Sequence, residues 1–209
     1  MRHFYLPVLF IFFAGNLWSQ HLGLEGGFNI SQDYSTPAGT SWNAGITYEH
    51  ELLPWLHIST GALYTDISLS VNDVFCKPES GHPCPIRSNG PISILEIPLF
   101  LHFKIFGNEK GTWSMWPVIG YGYGLSFGHY TQAVFDETAP FNYAFREVDI
   151  PNVHIGSIGL ESRHYLTGNT TLSYGFRYRY MTEVTTVRQP HLEIDNYALY
   201  LKIGLDLSK

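Results

Sequence analysis

Hydrophobic and polar positions alternate one by one through most of this chain. The clearest run is residues 171–181. Leu172, Tyr174, Phe176, Tyr178 and Tyr180 fall on one side of an extended backbone, and Ser173, Gly175, Arg177 and Arg179 on the other. Successive side chains of a strand point to opposite faces, so a period of two predicts a two-faced ribbon. A helix would scatter the same residues around its circumference. The same alternation predicts strands near 21–30, 41–50, 56–71, 92–106, 113–130, 152–165 and 196–207, with weaker face patterns in 56–71 and 152–165. Pro98 cannot donate a ladder hydrogen bond, so a bulge or local break is expected there. In 113–130, Ile119, Tyr121, Tyr123, Leu125 and Phe127 oppose Gly120, Gly122, Gly124, Ser126 and Gly128. That bare face suits a crowded barrel interior, where arginines from another strand need room.

The connections alternate in length. Residues 31–40, 72–91, 131–150 and 186–195 read as long loops, and 51–55, 107–112 and 167–169 as short turns. In an up-and-down arrangement all long loops share one end and all short turns the other. The expectation is an all-β fold, an eight-stranded antiparallel up-and-down barrel. No helical period of useful length follows residue 20.

Which face looks inward decides the class. A soluble lipocalin-like barrel would bury its aromatics around a ligand. A transmembrane β-barrel would turn them to lipid and keep Arg177 and Arg179 in the lumen. Composition bears on the choice: 14% of residues are charged against 16% aromatic, so little charged surface is available. The formal net charge of -6 makes a broad nucleic-acid footprint unexpected.

The first residues read separately. Met1-Arg2-His3 is basic, and the apolar stretch to Trp18 is shorter than the roughly 20 residues of a spanning helix. Residues 1–19 are therefore expected to be a signal peptide, leaving 20–209 as the barrel domain. No later segment could form a transmembrane helix, so insertion would require a closed barrel. The cell outer membrane is the expected location, with short turns and both termini periplasmic. Trp55, Trp113 and Trp116 fall near the short-turn end, where an interfacial aromatic girdle would lie.

Leu95-Glu96-Ile97-Pro98-Leu99, the segment Pro117-Val118-Ile119-Gly120-Tyr121-Gly122-Tyr123-Gly124, Gly159-Leu160-Glu161 and Phe176-Arg177-Tyr178 carry a resemblance. The chain resembles the small outer-membrane β-barrel domain family of Bacteroidetes, which includes PorT-like proteins. The resemblance implies an eight-stranded barrel and no particular chemistry. PorT-like members are linked to a protein secretion system, so a secretion-machine component is one alternative role.

The strand parities place Glu25, Glu49, Glu96, Glu161 and Asp206 on the lumen face with Lys104, Arg163, Arg177, Arg179 and Lys202. Five acids against five bases inside a narrow barrel predict a mutually paired plug, because buried charges persist only when paired. Cys76 and Cys84 form an even, close pair, most simply a disulfide in an exported protein; with His82 they offer a weaker zinc alternative. His57-Ile58-Ser59 is similar to the His-x-Ser arrangement of lipid A deacylases, which raises an outer-membrane lipid-modifying enzyme as another alternative. Its position near the short turns and the lack of a matching acid argue against it. Gly120-x-Gly122-x-Gly124 precedes no helix and is no dinucleotide fingerprint. The expectation is a monomeric barrel without catalysis or cofactor, in contact with outer-membrane lipid. Its role would be structural or through a protein partner at the long loops.

Overall fold

The computed structural model describes residues 20–33, 36–68, 91–107, 112–135, 143–149, 151–167, 169–183 and 193–207. Among the described residues eleven strands form in chain order: β1 (Gln20–Asp33), β2 (Thr36–Leu53), β3 (Leu56–Ser68), β4 (Pro91–Phe103), β5 (Phe106–Gly107), β6 (Trp113–Phe127), β7 (His129–Phe135), β8 (Tyr143–Asp149), β9 (Val153–Thr167), β10 (Thr170–Glu183) and β11 (Glu193–Asp206). Eight of them close into one antiparallel barrel in the order β4-β3-β2-β1-β11-β10-β9-β6, and the β4–β6 pairing joins the ends. Closure leaves no unpaired sheet edge, the condition for a sheet to sit in hydrocarbon. No described helix is long and apolar enough to cross a membrane.

The pleat settles which face is which. Leu24, Ile46, Ile97, Leu99, Tyr121, Ile158 and Leu199 point outward and are 50–64% exposed. Glu25, Glu49, Glu96, Glu161, Arg177 and Arg179, in the opposite parity, are buried. A continuous apolar exterior of this extent, around a charged interior, is the inverse of a water-soluble barrel. The molecule is a transmembrane β-barrel.

The strand edges differ from the sequence expectation. Residues 31–40 are not a loop: β1 and β2 stay paired to Asp33↔Thr36, with only 34–35 between them. Polar arms can keep their ladder beyond the apolar band because the backbone bonds, not the side chains, hold them together. Residues 131–150 are not one loop either, since β7 pairs with β8 from His129↔Asp149 to Phe135↔Tyr143. Gly128, at φ 126°, ends β6 and turns the chain into that hairpin. At Pro98 the β3–β4 ladder lapses: Thr60↔Leu99 and Leu63↔Glu96 pair, but the positions between them do not. The register is unchanged across the gap, and Thr60 Oγ1 donates to the Pro98 carbonyl at 2.7 Å.

The weak patterns have a physical cause. The inward parity of β3 carries Leu63 and Ile67 beside His57, Ser59 and Thr65, so neither face reads as polar. In β9 the inward Val153 and Ile155 precede Glu161 and Arg163. Ile67, Val153 and Ile155 belong to one buried apolar cluster, and Leu63 to another with Phe100 and Val118.

Candidate functional site

The lumen holds the chemistry of this barrel. Among the described residues four carboxylates and four cationic side chains are buried: Glu25, Glu49, Glu96 and Glu161 with Arg163, Arg177, Arg179 and Lys202. They form three groups along the axis. Nearest the short turns, Arg163 donates to both oxygens of Glu49, at 3.1 Å to Oε2, and through Nε to Glu161. Lys202 Nζ bridges Glu49 and Glu161 at 3.2 and 3.3 Å, and the Tyr200 hydroxyl donates to Glu161 at 3.0 Å. Trp116 lies under the Arg163 guanidinium at 4.3 Å and against the His57 ring at 4.4 Å. In the middle, Arg177 makes a forked pair with Glu25 at 2.9 and 3.3 Å. Phe100 and Tyr200 sandwich its guanidinium, each centroid 4.3 Å away. Toward the long loops, Arg179 pairs with Glu96 and donates to Thr65 at 3.2 Å.

Beyond Arg179 the polarity inverts. Ile67, Ile92, Ile94, Val153, Ile155, Met181 and Ile194 form one buried apolar cluster from β3, β4, β9, β10 and β11. The lumen is thus ion-paired toward the short turns and lined by hydrocarbon on these five strands toward the long loops, with Ser31, Ser41 and Asn196 buried on the β1, β2 and β11 side. A cavity of about 20 Å³ opens beside Glu49, Arg163 and Lys202, room for about one water.

The bare face of β6 is filled by its neighbour. A Cβ at Gly120 would meet the Phe100 ring, at Gly122 the Glu96 carboxylate, and at Gly124 Ile94. The room is taken by β4 rather than directly by arginines from another strand; Arg177 reaches this layer through its stacking on Phe100.

Two placements differ from expectation. Lys104 lies past the end of β4, is half-buried, and its backbone N–H donates to the Trp55 carbonyl at 2.8 Å. It is outside the ion-paired groups because the strand that would carry it inward has ended. Trp116 is 1% exposed and stands in the lumen rather than in a girdle, while Trp55 and Trp113 do face outward. It shares the inward parity of Ser114 and Val118 in β6, and there Arg163 supplies a cation for its ring. Asp206 is half-buried at the rim, opposite His21. Residues 1–19 and the pair Cys76 and Cys84 lie outside the described residues.

His57 and Ser59 both point inward but do not act together. His57 Nδ1 donates to Glu49 at 2.6 Å. Ser59 Oγ instead meets His102 Nε2 at 2.8 Å, and His102 Nδ1 faces Arg163 Nη2 at 3.0 Å. With Nδ1 accepting from the arginine, which only donates, Nε2 of His102 carries the proton; His57 Nδ1, although 3.2 Å from Arg163 Nη1, is set by its shorter contact to the Glu49 carboxylate. His102 therefore donates to Ser59 and cannot take its proton, the reverse of an activated nucleophile. Glu49, His102 and Glu161 place ligand atoms within 4.8 Å of one another, a spacing a metal could bridge. Arg163 and Lys202 already occupy those carboxylates, so the residues fit an internal ion-pair cluster better than a metal centre.

The fold is that of small eight-stranded outer-membrane barrels. Neisserial surface protein A aligns over 90% of this chain and 97% of its own, with a TM-score of 0.53 at 11% identity. OprG from Pseudomonas aeruginosa aligns over 92% and 97%, at 0.52 and 9%. The outer-membrane enzyme PagL aligns over 85% and 97%, at 0.51 and 12%. At these identities the likeness is one of fold alone, and it includes an enzyme. No protein-family model matches the chain, and no curated protein matches it significantly.

Proposed function

We propose that this chain is a monomeric integral outer-membrane protein whose barrel is a sealed, non-catalytic anchor. Its work is done at the long-loop end, through contact with a protein partner. The observation that carries this reading is the lumen. Paired charges fill its short-turn half and the Ile67–Met181 cluster packs hydrocarbon into the other, which supports a lumen that does not conduct. A sealed lumen leaves the segments outside the barrel to meet other molecules, and the β7–β8 hairpin pairs with no barrel strand among those described. Purified protein in planar bilayers is expected to show no single-channel steps; clear steps would overturn the sealed-lumen reading. Deleting 129–149 is expected to abolish capture of the partner while leaving the heat-modifiable gel shift intact.

A narrower form of the reading follows the resemblance to PorT-like proteins and makes the barrel part of a secretion machine. Co-purification of periplasmic proteins with the barrel tests it.

A further inference from the structure

The outer wall is not uniform. On the lipid-facing side of β6, β9, β10 and β11 lies a furrow of about 500 Å³, lined by Met115, Leu160, Phe176 and Leu199, with Trp113, Ser162 and Tyr174 along it. It spans three inter-strand spacings, roughly 14 Å. The register explains the hollow. Ser162 sits outward between Met115 and Tyr174, so a small side chain stands where its neighbours are large.

The furrow has a polar end and an apolar body. Toward the short turns, Trp113 Nε1 donates to Ser162 Oγ at 2.6 Å. His164 stacks on Tyr174 with centroids 5.5 Å apart and planes at 16°, its Nε2 3.3 Å from the Tyr174 hydroxyl. One strand step further from the turns the wall is Leu160 beside Phe176, with Leu199 next in the row. Exposed Trp and Tyr side chains such as Trp113 and Tyr174 mark the depth at which hydrocarbon gives way to headgroups.

We infer that this furrow holds one phospholipid of the leaflet on the short-turn side. An acyl chain lies along Leu160, Phe176 and Leu199, and the glycerol-phosphate region is held by His164, Tyr174 and Ser162. The inference rests on the membrane reading of the barrel. Its chemistry is amphipathic complementarity: polar donors at headgroup depth open directly onto an apolar trough. Filling the hollow with Ser162→Phe removes the chain's seat and the partner of the Trp113 indole, on a surface that tolerates apolar side chains.

The test is lipid retention. Full-length protein is purified from membranes in mild detergent, and bound lipid is counted by native mass spectrometry. The wild-type barrel is expected to keep one phospholipid. Ser162→Phe is expected to reduce retention about tenfold, and His164→Ala to weaken it. Ala62→Leu, on the outer face of β3, is expected to leave it unchanged. Equal retention by Ser162→Phe, or equal loss by Ala62→Leu, would overturn the inference. Recovery of lipid A instead of phospholipid would overturn the leaflet assignment. The heat-modifiable shift, read on the same samples, reports membrane-barrel folding separately: its absence in wild type defeats the fold reading, its presence with no bound lipid defeats only the furrow.

Discussion

Arg177→Ala tests whether the lumen network holds the barrel together. The guanidinium is 2% exposed, forks onto Glu25, and lies between Phe100 and Tyr200. Its removal acts in two ways. Glu25, itself 4% exposed, loses its ion-pair partner; breaking a buried pair from one side costs about 3–5 kcal/mol. Each aromatic face loses a cation, worth about 0.5–2 kcal/mol apiece. The effects overlap, so the expected loss is about 4–6 kcal/mol, a large share of the 5–15 kcal/mol that typically separates folded from unfolded protein. The assay is urea unfolding in lipid vesicles, followed by the heat-modifiable gel shift. The double variant Glu25→Gln/Arg177→Met removes both charges while keeping much of their volume. It is expected to be more stable than Arg177→Ala by about 2 kcal/mol or more, because no orphan charge remains. A loss below about 1 kcal/mol for Arg177→Ala, or strictly additive single effects, would refute the reasoning.

Gly120→Leu places a side chain into the Phe100 ring and should destabilise the same transition by about 1–3 kcal/mol, read as a lower urea midpoint. Trp116→Ala should cost about 3–5 kcal/mol by emptying the space under Arg163, whereas Trp113→Ala, at the outer surface, should cost far less; equal midpoints would contradict the interior placement of Trp116. Ser59 should resist covalent labelling by fluorophosphonate probes, since His102 donates to it; stoichiometric labelling would reverse the proton assignment. Cys76 and Cys84 should react with maleimide only after reduction, as a disulfide predicts.

The sequence by itself determined the barrel, because one repeated physical signal specifies it. Lipid on one side and a polar lumen on the other force a period of two, and residues 171–181 display it without interruption. The inward parity of Glu25, Glu49, Glu96, Glu161, Arg163, Arg177, Arg179 and Lys202 follows from the same rule. The partners of these charges do not. Glu25 meets Arg177 across 152 positions of chain and Arg179 meets Glu96 across 83. Those meetings depend on barrel stagger and closure, which no local pattern encodes. Strand ends were illegible for a related reason: polar arms such as 31–33 and 36–40 stay in strand through backbone pairing to which their side chains give no clue. The apolar cluster was hidden by its own parity, since Ile67, Ile94 and Ile155 blur the alternation from which faces are read. The reversed Ser59–His102 pair was decided in three dimensions, because the proton on His102 is set by Arg163, a residue that only the closed barrel brings to it.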